Sequence, residues 1–155
     1  MRIATFQHAG QRHVGAVSAD GRSVQIIGLP DASLGALPLI EAAAAGQPLP
    51  AAEGPVLALN EVRLEAPLPR PRRNLWCVGR NYHAHAKELR ETVFRNSPAK
   101  TDEWPIVFTK VPETVIGTGD VVRLPGAAVS SQIDYEAELA VVIGRGGRNI
   151  ARADA

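Results

Sequence analysis

The ten residues Asp134 to Ile143, DYEAELAVVI, carry the least ordinary chemistry in the chain and lie within its longest strand signal, Ile133 to Gly144. Leu139 to Ile143 is apolar at every position, as a strand buried on both faces requires. Residues two apart on a strand share a face, so Glu136 and Glu138 are expected to project together. Two carboxylates leading into a buried strand repel each other; one of them holds a proton, or a divalent cation relieves the conflict. Hard cations such as Mg²⁺ take oxygen ligands, commonly one or two carboxylates with waters and substrate oxygens. Spacing alone favours a plainer reading, the solvent-facing start of a strand, where paired glutamates need no cation.

Upstream of this stretch, Gly117-Thr-Gly-Asp120 reads as a turn, with Asp120 in a structural role, and Val121 to Leu124 as a short strand. Pro105 to Lys110 (PIVFTK) reads as a strand; its terminal lysine either meets a substrate carboxylate or snorkels to solvent. Phe94 to Trp104 is polar and is expected to be a mobile loop, while Asn74 to Val78 (NLWCV) has the texture of a buried strand closed by Gly79. Asn81 to Arg90 has helical character, and on a helix His85 and Glu88 meet on one face. A carboxylate beside an imidazole fixes its tautomer and raises its basicity, as a general base needs. Such a pair is more often a wet helix face. His83 points elsewhere, Asn81 can serve as a cap, and Arg80 as a surface charge.

Pro67-Leu-Pro-Arg-Pro71 interrupts both strand and helix, and the domain boundary is placed there, with residues 1–70 as a small α+β domain. Within it, Met1 to Gln7, Arg12 to Ser18 and Ser23 to Ile27 read as strands, the last two joined by the Asp20-Gly21 turn. Leu34 to Ala45 reads as a helix capped by Asp31 or Ser33 and stopped by Gly46, and Leu57 to Leu64 as a weak strand. His8 and His13 have no clustered partner in sequence and are read as surface residues.

The 155 residues carry 17 Lys+Arg against 16 Asp+Glu and a single cysteine, Cys77. That near-neutral balance argues against nucleic acid or an anionic membrane as partner. One cysteine allows neither an internal disulfide nor a cysteine zinc cage. The N-terminus MRIATFQHAGQRH lacks a signal-peptide core, and no apolar run reaches the roughly 20 residues that span a bilayer, so a cytoplasmic location is expected. Gly144-Arg-Gly-Gly147 lacks the spacing of a phosphate loop.

Taken in order, four motifs carry a resemblance. They are CVGRNYxxHAKE at 77–88, PIVFTK at 105–110, IGxGD at 116–120 and DYEAELAVVIG at 134–144. Together they resemble the fumarylacetoacetate hydrolase family. The resemblance implies a mainly β, α+β architecture: a small N-terminal domain over 1–70, then residues 71–155 as the first half of a catalytic mixed β-roll. It implies that Glu136 and Glu138 are metal ligands for Mg²⁺, with Mn²⁺ or Ca²⁺ possible. His85 and Glu88 become a catalytic dyad on a lid-like helix. Arg80 is expected near the substrate carboxylate, and Lys110, with less support, in a strand lining the pocket.

The family's third carboxylate ligand, an aspartate, lies some tens of residues beyond its YExEL motif, and Asp154 is too close to replace it. The chain is therefore expected to be a truncated N-terminal part, whose full-length form is a homodimer acting on a small 2-oxo acid. The implied reaction is hydrolysis of a C–C bond in an acylpyruvate-like 2,4-dioxo acid through an enolate, a charge that a divalent cation stabilises. An isomerase or decarboxylase acting through the same enolate, or an inactive fragment, is the alternative.

Overall fold

In the computed structural model, residues 1–91 and 105–155 are described, the side chains of His85, Leu89 and Arg90 excepted. The loop expected over 94–104 lies outside the described residues. The chain divides into two compact units, Met1–Pro69 together with Ile116–Ala155, and Arg70–Val115. It is mainly β, with two α-helices among the described residues.

In the first unit, β1 (Arg2–His8) and β2 (Gln11–Val17) form an antiparallel hairpin closed by Ala9 and Gly10, both at positive φ. β3 (Ser23–Ile26) pairs with β2, and β4 (Val56–Ala58) with β3. The Asp20 turn between β2 and β3 is held by the Asp20 carboxylate, which accepts from the Arg22 amide at 3.0 Å and the Ser18 hydroxyl at 2.6 Å.

The continuous strand expected over 57–64 breaks at a 3-10 turn, Leu59–Glu61, and resumes as β5 (Arg63–Leu64), which pairs with β1. The sheet order is β4-β3-β2-β1-β5, so β4 and β5 are opposite edges joined by four residues. Laid flat, five strands separate their edges by about 19 Å. A tight turn rising about 2 Å per residue does not cover that distance, so the sheet curls and its edges approach.

Helix α1 (Leu37–Ala44) is shorter than the sequence suggests. Neither Asp31 nor Ser33 caps it: Ala36 holds the cap position, and the Asp31 carboxylate takes the Ser33 amide and hydroxyl instead. A side chain caps only the turn it begins, and these residues lie too far ahead. Gly46, at φ 69°, does stop the helix. Leu39 and Ala36 pack on Val14 and Ile27 of one sheet face; Phe6 and Val24, fully buried, come from the opposite face.

In the second unit, β6 (Leu75–Gly79) and β7 (Ile106–Lys110) form an antiparallel ribbon in the register Leu75↔Lys110 to Gly79↔Ile106. Helix α2 (His83–Glu91) follows β6. Two expected strands, Val121–Leu124 and Ile133–Gly144, are absent. A strand exists only as part of a ladder, and neither stretch has a ladder partner among the described residues. Tyr135, Leu139 and Ile143 are 92%, 83% and 74% exposed.

Candidate active site

β6 ends at Gly79, and Arg80 follows it at φ 56°. A bulky L-residue in the left-handed region is uncommon, and such residues concentrate where the surrounding structure holds them for function. Arg80 is half-buried and turns the chain from the ribbon into α2. The first helical bond runs from the Ala86 amide to the Tyr82 carbonyl at 2.9 Å, so Asn81 stands one place ahead of the cap. His85 and Glu88 are three residues apart on α2 and share one side of its backbone; the His85 side chain lies outside the described residues. Lys87 and Glu91 form an exposed i,i+4 pair at 4.0 Å on the same helix.

Lys110 pairs with Leu75, at the opposite end of the ribbon from Gly79 and Arg80. Four strand steps of about 3.3 Å set those ends roughly 13 Å apart. The ribbon thus brings Arg80 close in chain to the helix of His85 and Glu88, and leaves Lys110 at the far end.

Glu136 and Glu138 belong to the other unit and are exposed, in a stretch outside any helix or strand. The shared strand face expected for them therefore has no ladder to enforce it. Their donor atoms are all oxygen, which suits a hard cation with waters filling the remaining positions. Among the described residues no three His, Cys, Asp or Glu side chains gather into a metal-binding group. The two carboxylates suit Mg²⁺ in their chemistry.

Asp120 occupies the structural role read from its turn. Its Oδ2 accepts the Gly117 amide at 2.8 Å and its Oδ1 accepts Arg63 Nη2 at 2.5 Å. Those two bonds, the Gly117 amide first, hold its carboxyl below the usual range. Glu65 accepts from Arg12 through both oxygens, at 2.5 and 3.1 Å, and from Gln7 at 3.2 Å. The Arg12 hydrogen bond leads the causes that lower Glu65 and raise Arg12. Sequence reading assigned Arg12, Arg63 and Glu65 no role; Arg12 and Glu65 are 53 residues apart, and only the sheet register joins them.

The strand, the left-handed arginine turn and the histidine-bearing helix lie in the portion, residues 74–155, that matches the family model described as fumarylacetoacetate (FAA) hydrolase C-terminal, and the chain belongs to this family. It is 49% identical over 98 residues to oxaloacetate tautomerase YisK of Bacillus subtilis (strain 168), covering 63% of this chain and 30% of that protein. To the mitochondrial oxaloacetate tautomerase FAHD2A of Homo sapiens it is 42% identical over 105 residues, covering 68% and 30%. To mitochondrial Fahd2a of Rattus norvegicus it is 33% identical over 162 aligned positions, 99% of this chain and 48% of the relative. The chain thus spans from about a third to about half the length of these relatives.

Proposed function

We propose that the chain is part of a metal-dependent enzyme that moves a proton on a small 2-oxo acid, interconverting keto and enol forms of an oxaloacetate-like dicarboxylate. The observation that carries this reading is Arg80 at φ 56°, between β6 and the helix of His85 and Glu88. The relatives named oxaloacetate tautomerase move the preferred chemistry from C–C hydrolysis to tautomerisation.

In this reading Arg80 pairs with a substrate carboxylate, where a guanidinium gives a bidentate contact. His85, oriented by Glu88 one turn on, takes a proton from C3 of the keto acid, and a proton delivered to the C2 oxygen completes the enol. The reverse transfers return the keto form. Lys110 is a substrate contact outside the proton step. Glu136 and Glu138 would hold Mg²⁺, or Mn²⁺ or Ca²⁺, and such an ion would supply Lewis acidity toward the 2-oxo acid. Residues 1–70 form the N-terminal domain, and 71–155 contribute to a mixed β-roll that is a homodimer at full length.

Hydrolysis of an acylpyruvate-like 2,4-dioxo acid is the second reading, favoured by the family description. Ultraviolet absorbance of enol-oxaloacetate with Mg²⁺ tests the first, and pyruvate release from an acylpyruvate tests the second. Tautomerisation is expected to be faster than the spontaneous rate, and His85→Gln to lower it by about 10²-fold or more. Pyruvate release without any gain in ketonisation would reverse the preference; inactivity on both substrates would end the enzymatic reading of the isolated chain.

A further inference from the structure

We infer that His8 and His13 form a two-imidazole site for a divalent cation of borderline softness, such as Zn²⁺, at the end of the β1–β2 hairpin. Sequence alone gives these histidines no partner, whereas the structure leaves both half-buried with their ring centres 6.5 Å apart. The cause is strand register. The two-residue Ala9-Gly10 turn fixes the pairing of the hairpin, with His8 opposite Gln11 and Phe6 opposite His13. Side chains alternate between faces, so His8, Phe6 and His13 share one face while Gln7 and Arg12 take the other. His8 and His13 are therefore diagonal neighbours, a separation that long side chains reach across. The Arg12 guanidinium, next to His13 in sequence, is engaged on the opposite face by Glu65 and the Ser33 carbonyl.

The two rings have different roles. His13 lies against the fully buried Phe6, ring centres 5.7 Å apart, and that packing holds it in place. His8 is the last residue of β1, beside the turn, and is the ring that adjusts. With metal–nitrogen bonds of about 2.1 Å, a shared cation sets two imidazole centres roughly 5 Å apart when tetrahedral and roughly 6.5 Å apart when the bonds are collinear. The observed spacing is at the wide end of that range, so tetrahedral binding asks His8 to close by roughly 1 Å. Imidazole nitrogen favours Zn²⁺, Cu²⁺ or Ni²⁺ over Mg²⁺ and Ca²⁺, which take oxygen. Among the described residues no third His, Cys, Asp or Glu side chain joins the pair, so waters complete the shell and the cation is exchangeable. A cation held by both strands stabilises the hairpin by mass action. The site is separate from Glu136 and Glu138 and does not depend on the reaction proposed above.

Two measurements test the site, both with Zn²⁺ in a Cys77→Ser background and with excess Mg²⁺ to occupy oxygen ligands. By titration calorimetry, binding is expected to weaken about tenfold or more in His8→Asn and in His13→Asn. The double variant His83→Asn with His85→Asn, on α2, is expected to retain it. Affinity unchanged in either hairpin variant, affinity lost in the α2 variant, or no Zn²⁺ binding at all overturns the site. The second measurement leaves all four histidines in place, so it holds even where a hairpin variant does not fold. In imidazole ¹⁵N spectra of that chain, Zn²⁺ is expected to shift the His8 and His13 resonances together at one stoichiometry. A shift at only one of them, or at neither, overturns the pairing.

Discussion

Gly35 shows how closely single residues are constrained at the start of the proline run. Its φ is +63°, and a β-carbon there would lie 2.5 Å from the Pro67 carbonyl oxygen and 2.6 Å from Pro69 Cδ. The same carbonyl accepts the Thr5 hydroxyl and the Ala36 amide, each at 2.9 Å, so Pro67 is seated on the sheet and on the start of α1. Gly35→Ala combines a strained backbone with a clash, and is expected to lower stability by about 2 kcal/mol or more in chemical denaturation. Thr5→Val removes the hydrogen bond from the buried Thr5 to the Pro67 carbonyl and is expected to cost on the order of 1 kcal/mol by the same measurement. Neither change should alter the spectroscopic signature of α2.

The element that ties the sheet to the rest of its unit is β5, two residues long and at a sheet edge. Such edges invite unwanted pairing; here the 116–120 turn leans on the chain that leaves it. Two carboxylates serve this junction, Glu65 and Asp120, and both have pKa values below their ordinary ones. A carboxyl depressed in the folded state contributes stability above its unfolded pKa and loses it as pH falls through the folded value. Thermal midpoints are therefore expected to fall on acidification below the ordinary carboxylate range, and the fall should be shallower in Glu65→Gln, which removes one of the groups responsible. Equal pH dependence in both chains would remove Glu65 from that role.

Over the whole molecule, burial is uneven. Among the described residues, the buried hydrophobic ones all lie within residues 1–69, whereas the family-matching portion exposes Trp76, Leu139, Val141 and Ile143 at 73%, 83%, 74% and 74%. Apolar surface on that scale binds hydrophobic probes and other chains. Anilinonaphthalene sulfonate fluorescence is expected to rise in the presence of the native chain, and Leu139→Lys with Val141→Lys to reduce it without shifting the denaturation midpoint. No helix among the described residues is long and apolar enough to cross a membrane.

Local chemistry was legible where the signal and its cause lie within a few residues. The alternation of β1 to β3, the Asp20 and Gly46 stops, the β6 and β7 strands and a helix carrying His85 and Glu88 all follow from neighbours in sequence. The burial expected of β6 does not hold, since Trp76 is 73% exposed. The four spaced motifs were enough to indicate the family, because their residue types and order survive without coordinates. What required tertiary structure is everything set by residues far apart. The break at Leu59–Glu61 exists because the sheet curls and a short connection joins its edges. DYEAELAVVI has the composition of a strand and forms none, since a strand needs a partner that composition does not supply. Arg12 meets Glu65, and Arg63 meets Asp120, across 53 and 57 residues, because hydrogen-bonded register and close packing act through space and leave no mark in local periodicity.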